Sequence, residues 1–221
     1  MNVQAFIENF RHTLNDEVAP YLWSDAEVIT YLNDAINEAC ERALLIEDRT
    51  TPEVCNITLV PGQGDYFLHE SVIKVKRVTY RGHVLEETSV EALDQQCHNW
   101  EARNGRPHQY ICGQNFGFRV VPIPTLTDVP ETLALTVYRL PLVEMVESAD
   151  TDIPEVPVRF HMRLLPWMYR CAYLKQDSET LNEGQAAKHE ATFIASFGER
   201  IGANVQRKQR DRRPQVVQFN W

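Results

Sequence analysis

The sequence predicts an α+β protein: a bundle of N- and C-terminal helices, an antiparallel β domain inserted between them, and an extended C-terminal arm. Three observations predict it. Apolar residues recur at helical steps over residues 1–50 and 151–205, but at alternate positions over 52–140. A chain of 221 residues with 43% hydrophobic content can bury a real core without disulfides or a structural metal. Beyond Val205 the helical period stops, which leaves 206–221 as an arm.

Val3, Phe6, Ile7, Phe10 and Leu14 form one stripe of a short helix, which residues 15–20 break. Ser24 followed by Glu27 is a capping box, the serine hydroxyl accepting the third helical N–H while the carboxylate reaches back to the serine N–H. The helix it opens is expected to run to about Ile46. Ile29, Leu32, Ile36, Ala39 or Cys40, and Ala43 face inward, and Asn33, Asp34, Asn37, Glu38 and Glu41 mostly outward.

After Pro52 the period falls to two, so Cys55, Ile57 and Leu59 predict a strand with one wet face, closed by a hairpin turn at 61–65. The inward positions change parity between Ile73 and Val75 on one side and Val78 and Tyr80 on the other, which predicts a bulge near Lys76 or Arg77. Arg81, Gly82 and His83 turn the chain. Ser89 caps a short helix to about Cys97, and strands follow at 108–113, 116–121 and 131–139. From Ile153 the helical period returns, with Val158, Met162, Leu165, Tyr169 and Ala172 on one face and Pro157 in the first turn. Pro166 lies inside, where it removes the bond to the Met162 carbonyl. A last helix from about Ser178 presents Leu181, Ala187, Ala191, Ile194, Ile201 and Val205.

The chain carries 22 basic and 31 acidic residues, a net charge of −9. Residues 207–213 (RKQRDRR) contribute +4 and leave −13 for the remainder, an acidic body ending in a basic tail. Such a body disfavours long contact with a phosphate backbone, so a nucleic-acid-binding module, the alternative reading, would have to act through that tail. Residues 1–14 include Glu8 and Arg11 and lack the apolar core of a secretory signal. The most apolar run, 164–168, is bounded by Arg163 and Arg170 and falls far short of the ~20 residues that span a bilayer, so no membrane segment is expected. Five cysteines without a CxxC pair point to reduced thiols in a cytoplasm.

Pro61-Gly62-Gln63-Gly64-Asp65 has neither the lysine nor the following helix of a phosphate loop, and no GxSxG is present. Cys97-His98 and His108-x3-Cys112 hold four zinc-type ligands, and a zinc-dependent enzyme built on them is the third reading. Sequence neighbours chelate one ion awkwardly, so ordinary core cysteines and surface histidines compete with it. Asp150 and Asp152 form a carboxylate pair in a polar stretch suited to a solvated loop. Gly198-x3-Gly202 either admits a second helix or marks fraying, and Trp100 and Trp167 are expected in the core. No catalytic group, metal or cofactor is predicted. In the tail, Arg207, Arg210, Arg212 and Arg213 precede Val216, Val217, Phe219 and Trp221. Arginine with aromatic residues is the composition of interface anchors, against the competing reading of a frayed terminus.

The run Leu22-Trp23-Ser24-Asp25-Ala26-Glu27, leading to Tyr31-Leu32-Asn33-Asp34-Ala35 and Glu38-Ala39-Cys40-Glu41-Arg42-Ala43, resembles the opening of the head-to-tail adaptor (connector) proteins of tailed bacteriophages. Four later parts are similar in order and spacing. They are Ile57 to Leu59 before Gly64-Asp65-Tyr66-Phe67-Leu68; the Trp100 loop with Gly105-Arg106-Pro107 and Tyr110; Pro122-Ile123-Pro124 before Val137-Tyr138-Arg139-Leu140-Pro141; and Ile153-Pro154 ahead of a tryptophan-bearing helix ending in Ala172-Tyr173-Leu174. The likeness spans about residues 22–205, and Pro166 and Cys40 depart from it. It implies a structural virion protein, assembled in the host bacterial cytoplasm, that forms a twelve-fold ring beneath the portal at the head-tail junction. The β part would extend outward toward the next tail component (nozzle, stopper or tail tube), the arm would bind the portal protein, and DNA would pass through the channel without specific binding.

Overall fold

The computed structural model describes residues 1–113, 117–125, 131–147, 151–177 and 180–202. Asp150, Ser178, Val205 and the arm, named above, lie outside the described residues. In chain order the elements are α1 (Val3–Leu14), α2 (Asp25–Ala43), β1 (Ile46–Asp48), α3 (Pro52–Cys55), β2 (Asn56–Leu59), β3 (Asp65–Phe67), β4 (Val72–Tyr80), β5 (His83–Val84), β6 (Glu86–Glu87), α4 (Val90–Gln96), β7 (Gln109–Cys112), β8 (Gly117–Val121), β9 (Glu131–Arg139), α5 (His161–Tyr173) and α6 (Glu183–Phe197). The fold is α+β. The chain divides into a helical unit, Met1–Ile46 with Arg139–Arg200, and a second unit whose described body is Glu47–Tyr138.

In the helical unit α5 packs on α6, α2 and α1. Phe6, Phe10, Val28, Leu32, Leu164, Met168 and Phe193 fill its core. The caps follow from local chemistry: Asn2 Oδ1 accepts from Ala5 N at 3.1 Å, and Ser24 and Glu27 close both bonds of the capping box, at 3.3 and 2.9 Å. Buried Arg11 fixes the α1–α2 connection by donating to Asp16 (2.7 Å), the Trp23 carbonyl (3.1 Å) and Asp25 (2.5 Å). α2 stops at Ala43, three residues short of the expected Ile46, because Leu44 takes a left-handed conformation (φ 51°) and Ile46 opens a strand. Ala43 is exposed and Glu38 buried, the reverse of the expectation for both.

The stripes of the last two helices are corrected in part; in α5 Leu165, Tyr169 and Ala172 are buried as expected. Val158 and Met162 are 70% and 59% exposed, while His161, Leu164, Trp167 and Met168 are buried. Residues Val158–Phe160 form a 3-10 turn, which winds three residues per turn and puts Val158 out of phase with α5; Met162 lies in the first turn of α5. α5 continues through Pro166. In α6 the inward residues are Ala186, Phe193 and Phe197; Leu181, Ala187, Ala191 and Ile201 are exposed, and Ile194 is half-buried. The helix ends at Phe197, so Gly198 and Gly202 lie beyond it rather than on a shared helical face.

The second unit holds two sheets, β1-β9-β4-β5 with β2 also on β9, and β3-β8-β7-β6. Its pairs are antiparallel except β6 with β7, among the described registers. Ile57, Val78, Leu133, Leu135 and Val137 from the first sheet share one core cluster with Tyr66, Tyr110, Phe118 and Val120 from the second. The turn at 61–65 is not a hairpin: β2 pairs with β9 and β3 with β8, so it carries the chain from one sheet to the other. Gly62 takes φ 81° there and its N–H donates to the Pro124 carbonyl. Cys55 ends a helical turn begun by Pro52, one residue before the strand. Lys76 and Arg77 are consecutive exposed positions in β4, where the parity changes. Arg81 (φ 47°) and Gly82 (φ 78°) make the two-residue turn that sets Tyr80 opposite His83.

Candidate assembly interface

The chain leaves α6 through a clamp on the end of α2. Glu38 and Arg42 lie one helical turn apart, so their side chains meet on one face, and the guanidinium donates through Nε to Glu38 Oε1 at 2.8 Å. Both side chains are buried, at 5% and 8% exposure. The same guanidinium sits 5.0 Å above the Trp167 ring and 5.2 Å above Phe193, and its Nη1 donates to the Gly198 carbonyl at 3.0 Å. Gly198 takes φ 84°, the left-handed region that favours glycine. Two residues on, Arg200 pairs with Glu41 at 2.6 Å and with Glu38 at 3.6 Å. Backbone and charge together hold residues 198–200 on α2, five residues ahead of the arm.

The predicted portal-binding residues Arg207, Arg210, Arg212, Arg213, Val216, Val217, Phe219 and Trp221 lie outside the described residues. Their anchor was not foreseen. The Glu38/Arg42 spacing was its visible signal, but charged helical residues default to solvent, and the partner carbonyl at Gly198 is far away in sequence.

The other candidates are dispersed. Cys97 and His98 follow α4 beside a hollow of about 260 Å³ lined also by Asp94, Asn99, Trp100 and Glu101. There the indole N–H of buried Trp100 donates to Asp94 at 2.8 Å. His108 is exposed, and Cys112 packs half-buried against the β core. Among the described residues no three His, Cys, Asp or Glu side chains gather as a metal site. Burial pushes the thiols of Cys40, Cys112 and Cys171 up to about 12, so each stays protonated and weakly nucleophilic near neutrality. Among the described residues no helix is long and apolar enough to cross a membrane.

Packed helices, a two-sheet unit and no gathered metal ligands among the described residues define the chain as an α+β protein. The chain belongs to the SU10 adaptor protein family, whose model matches residues 1–218. A comparison with curated proteins finds no match. Membership makes it a phage adaptor protein, a structural component of the virion that interacts with portal and tail components.

Proposed function

We propose that this adaptor forms a homo-oligomeric ring, of twelve copies, beneath the portal, where it joins capsid to tail and continues the DNA channel. The family match over residues 1–218 carries the reading. Charge supports it: with −13 outside the basic run, the body repels phosphates, as a wall must if DNA is to slide past without sticking. The arm docks in the portal. Its arginines set encounter rate and register, while Phe219 and Trp221 fill apolar pockets and supply most of the affinity. Anchoring at residues 198–200 fixes the point from which the arm departs and so raises its effective concentration at its pocket, an effect that repeats around the ring. The β unit meets the next tail component, since its sheets have edges that need pairing or cover.

Electron microscopy of the protein with its portal tests the ring, and complexes without a ring overturn it. Ending the chain at Gln215, or replacing Trp221→Ala, should weaken portal binding by about 30-fold or more, the equivalent of ~2 kcal/mol for a buried interface anchor. Equal binding by all three chains would assign the portal contact to the helical unit instead.

A further inference from the structure

Two apolar residues that the helical period sends inward stand on the surface at the start of α5, Val158 and Met162. Between them Phe160 is half-buried, and the guanidinium groups of Arg159 and Arg163 lie 4.8 and 5.8 Å from the centre of its ring. An aromatic neighbour steadies a guanidinium while leaving its edge N–H donors free for another partner. Neither arginine has a carboxylate within ion-pair distance among the described residues, whereas the five other arginines of the helical unit, Arg11, Arg42, Arg139, Arg170 and Arg200, each do. In a chain with 31 acidic residues, partners are not scarce; these two positions use none of those among the described residues.

A second surface of the same unit has the opposite sign. After β9, Leu142, Val143 and Val146 are 41%, 66% and 47% exposed, and the exposed Glu144 and Glu147 beside them have no ion-pair partner among the described residues. The segment is held in place. Asn33 brackets Met145, accepting from its N–H at 2.9 Å and donating to its carbonyl at 2.9 Å, and Leu142 N–H donates to the Glu155 carboxylate at 3.2 Å. Buried Met145 anchors it from below.

Among the described residues each surface lacks what the other supplies: two guanidinium groups without a carboxylate partner beside apolar neighbours, and two carboxylates without a cationic partner beside apolar neighbours. We propose that they are the two halves of a contact between copies of this chain, the Val158–Arg163 surface of one copy seated on residues 142–147 of the next. Arginine–carboxylate bonds set the register while Met162, Val158, Val143 and Val146 lose water. Because the two halves differ, the contact is heterologous and repeats from copy to copy. The inference rests on the ring reading for its closure, and it names the surfaces by which neighbours would meet.

Sedimentation of the full chain tests it. The wild type should self-associate as concentration rises toward about 1 mM, the range of a weak single contact, and less so at high salt. Arg159→Glu with Arg163→Glu, or Glu144→Arg with Glu147→Arg, should each weaken association by at least ~10-fold through like-charge repulsion. An equimolar mixture of the two double variants should recover it, because every contact in an alternating chain then pairs opposite charges; recovery also shows that both variants are folded. A monomeric wild type, variants that associate as the wild type does, or a mixture that stays monomeric would each overturn the contact. Imaging on the portal separates the two readings: a ring built equally well from either double variant sinks this contact and keeps the ring, whereas paired association in solution without a ring on the portal does the reverse.

Discussion

Replacing Arg42→Met should destabilise the helical unit far more than the loss of an ordinary ion pair. Arg42 is 5% exposed at the side chain and faces a Glu38 carboxylate that is 8% exposed. Removing the guanidinium strands that carboxylate; among the described residues the other cation within ion-pair distance is Arg200, at 3.6 Å and itself 62% exposed. Breaking a buried pair from one side costs about 3–5 kcal/mol. Partial relief from Arg200, together with the apolar methionine against Trp167 and Phe193, puts the expectation at the low end, about 3 kcal/mol. Helix propensity contributes little, since arginine and methionine rank alike. Glu38→Leu should cost about as much by stranding Arg42. The double variant buries no charge, so it should lose only about 1 kcal/mol, leaving a coupling of several kcal/mol between the two sites. Urea unfolding of the four chains, followed by far-ultraviolet circular dichroism, measures that coupling. A coupling of about 0.5 kcal/mol or less, the value of an exposed pair, would refute the reasoning and show that water reaches the clamp.

Two further outcomes are expected. Burial lowers the pKa of His161 below its ordinary 6.5; the ring nitrogen Nε2 donates to the Val156 carbonyl at 2.8 Å, and Nδ1 lies 2.8 Å from the Met1 amine. The unfolded chain therefore binds a proton near pH 6.5 that the folded chain refuses, so this contribution is complete above that pH and is lost as pH falls toward the folded value. Urea midpoints should drop between pH 7.5 and 5.5, and His161→Gln should flatten that dependence, leaving the part due to His189, whose pKa burial also lowers; an unchanged slope would refute the assignment. Excising Glu47–Tyr138 and joining Ile46 to Arg139 through a short glycine–serine linker should leave a cooperatively folding helical unit, because the strands at the two cut points, β1 and β9, are hydrogen-bonded neighbours. Loss of helical circular dichroism would show instead that the two units share a core.

Features set by neighbours in sequence were legible. The Ser24/Glu27 capping box, the Ser89 cap and the stripe of α1 each need only a few consecutive residues, and all form as the residue chemistry requires. Features set by distant partners were not. The turn at 61–65 announces a reversal of direction, but which strand each arm meets depends on residues as remote as Ala134, opposite Asn56. In α6 two stripes compete, one of alanines with Ile194 and one ending in Phe193 and Phe197. The phenylalanines win because aromatic rings bury much more area, and Trp167 stands 4.9 Å away to receive Phe193. The clamp was half legible for the same reason: Glu38 and Arg42 declare themselves at helical spacing, whereas the Gly198 carbonyl that draws them inward does not.

The misplaced residues at the start of α5 differ in kind from these. A helix that shifts phase in α6 exchanges one buried stripe for another, so its apolar area still leaves water. At Val158 and Met162 no other element covers the exposed apolar area among the described residues. Local choices that agree with the global fold are what a folding sequence accumulates, and departures without an internal compensation belong to sites that serve something outside the fold. Arg159 and Arg163 depart in the same place and in a second way, by having no carboxylate partner among the described residues of an acidic protein. Residues 142–147 depart in the complementary sense, yet are held there by Asn33 and Met145, so their exposure is built rather than slack. Two departures of opposite charge on one unit form a matched set. In the ring proposed above both would be satisfied at once, each copy supplying what its neighbour lacks.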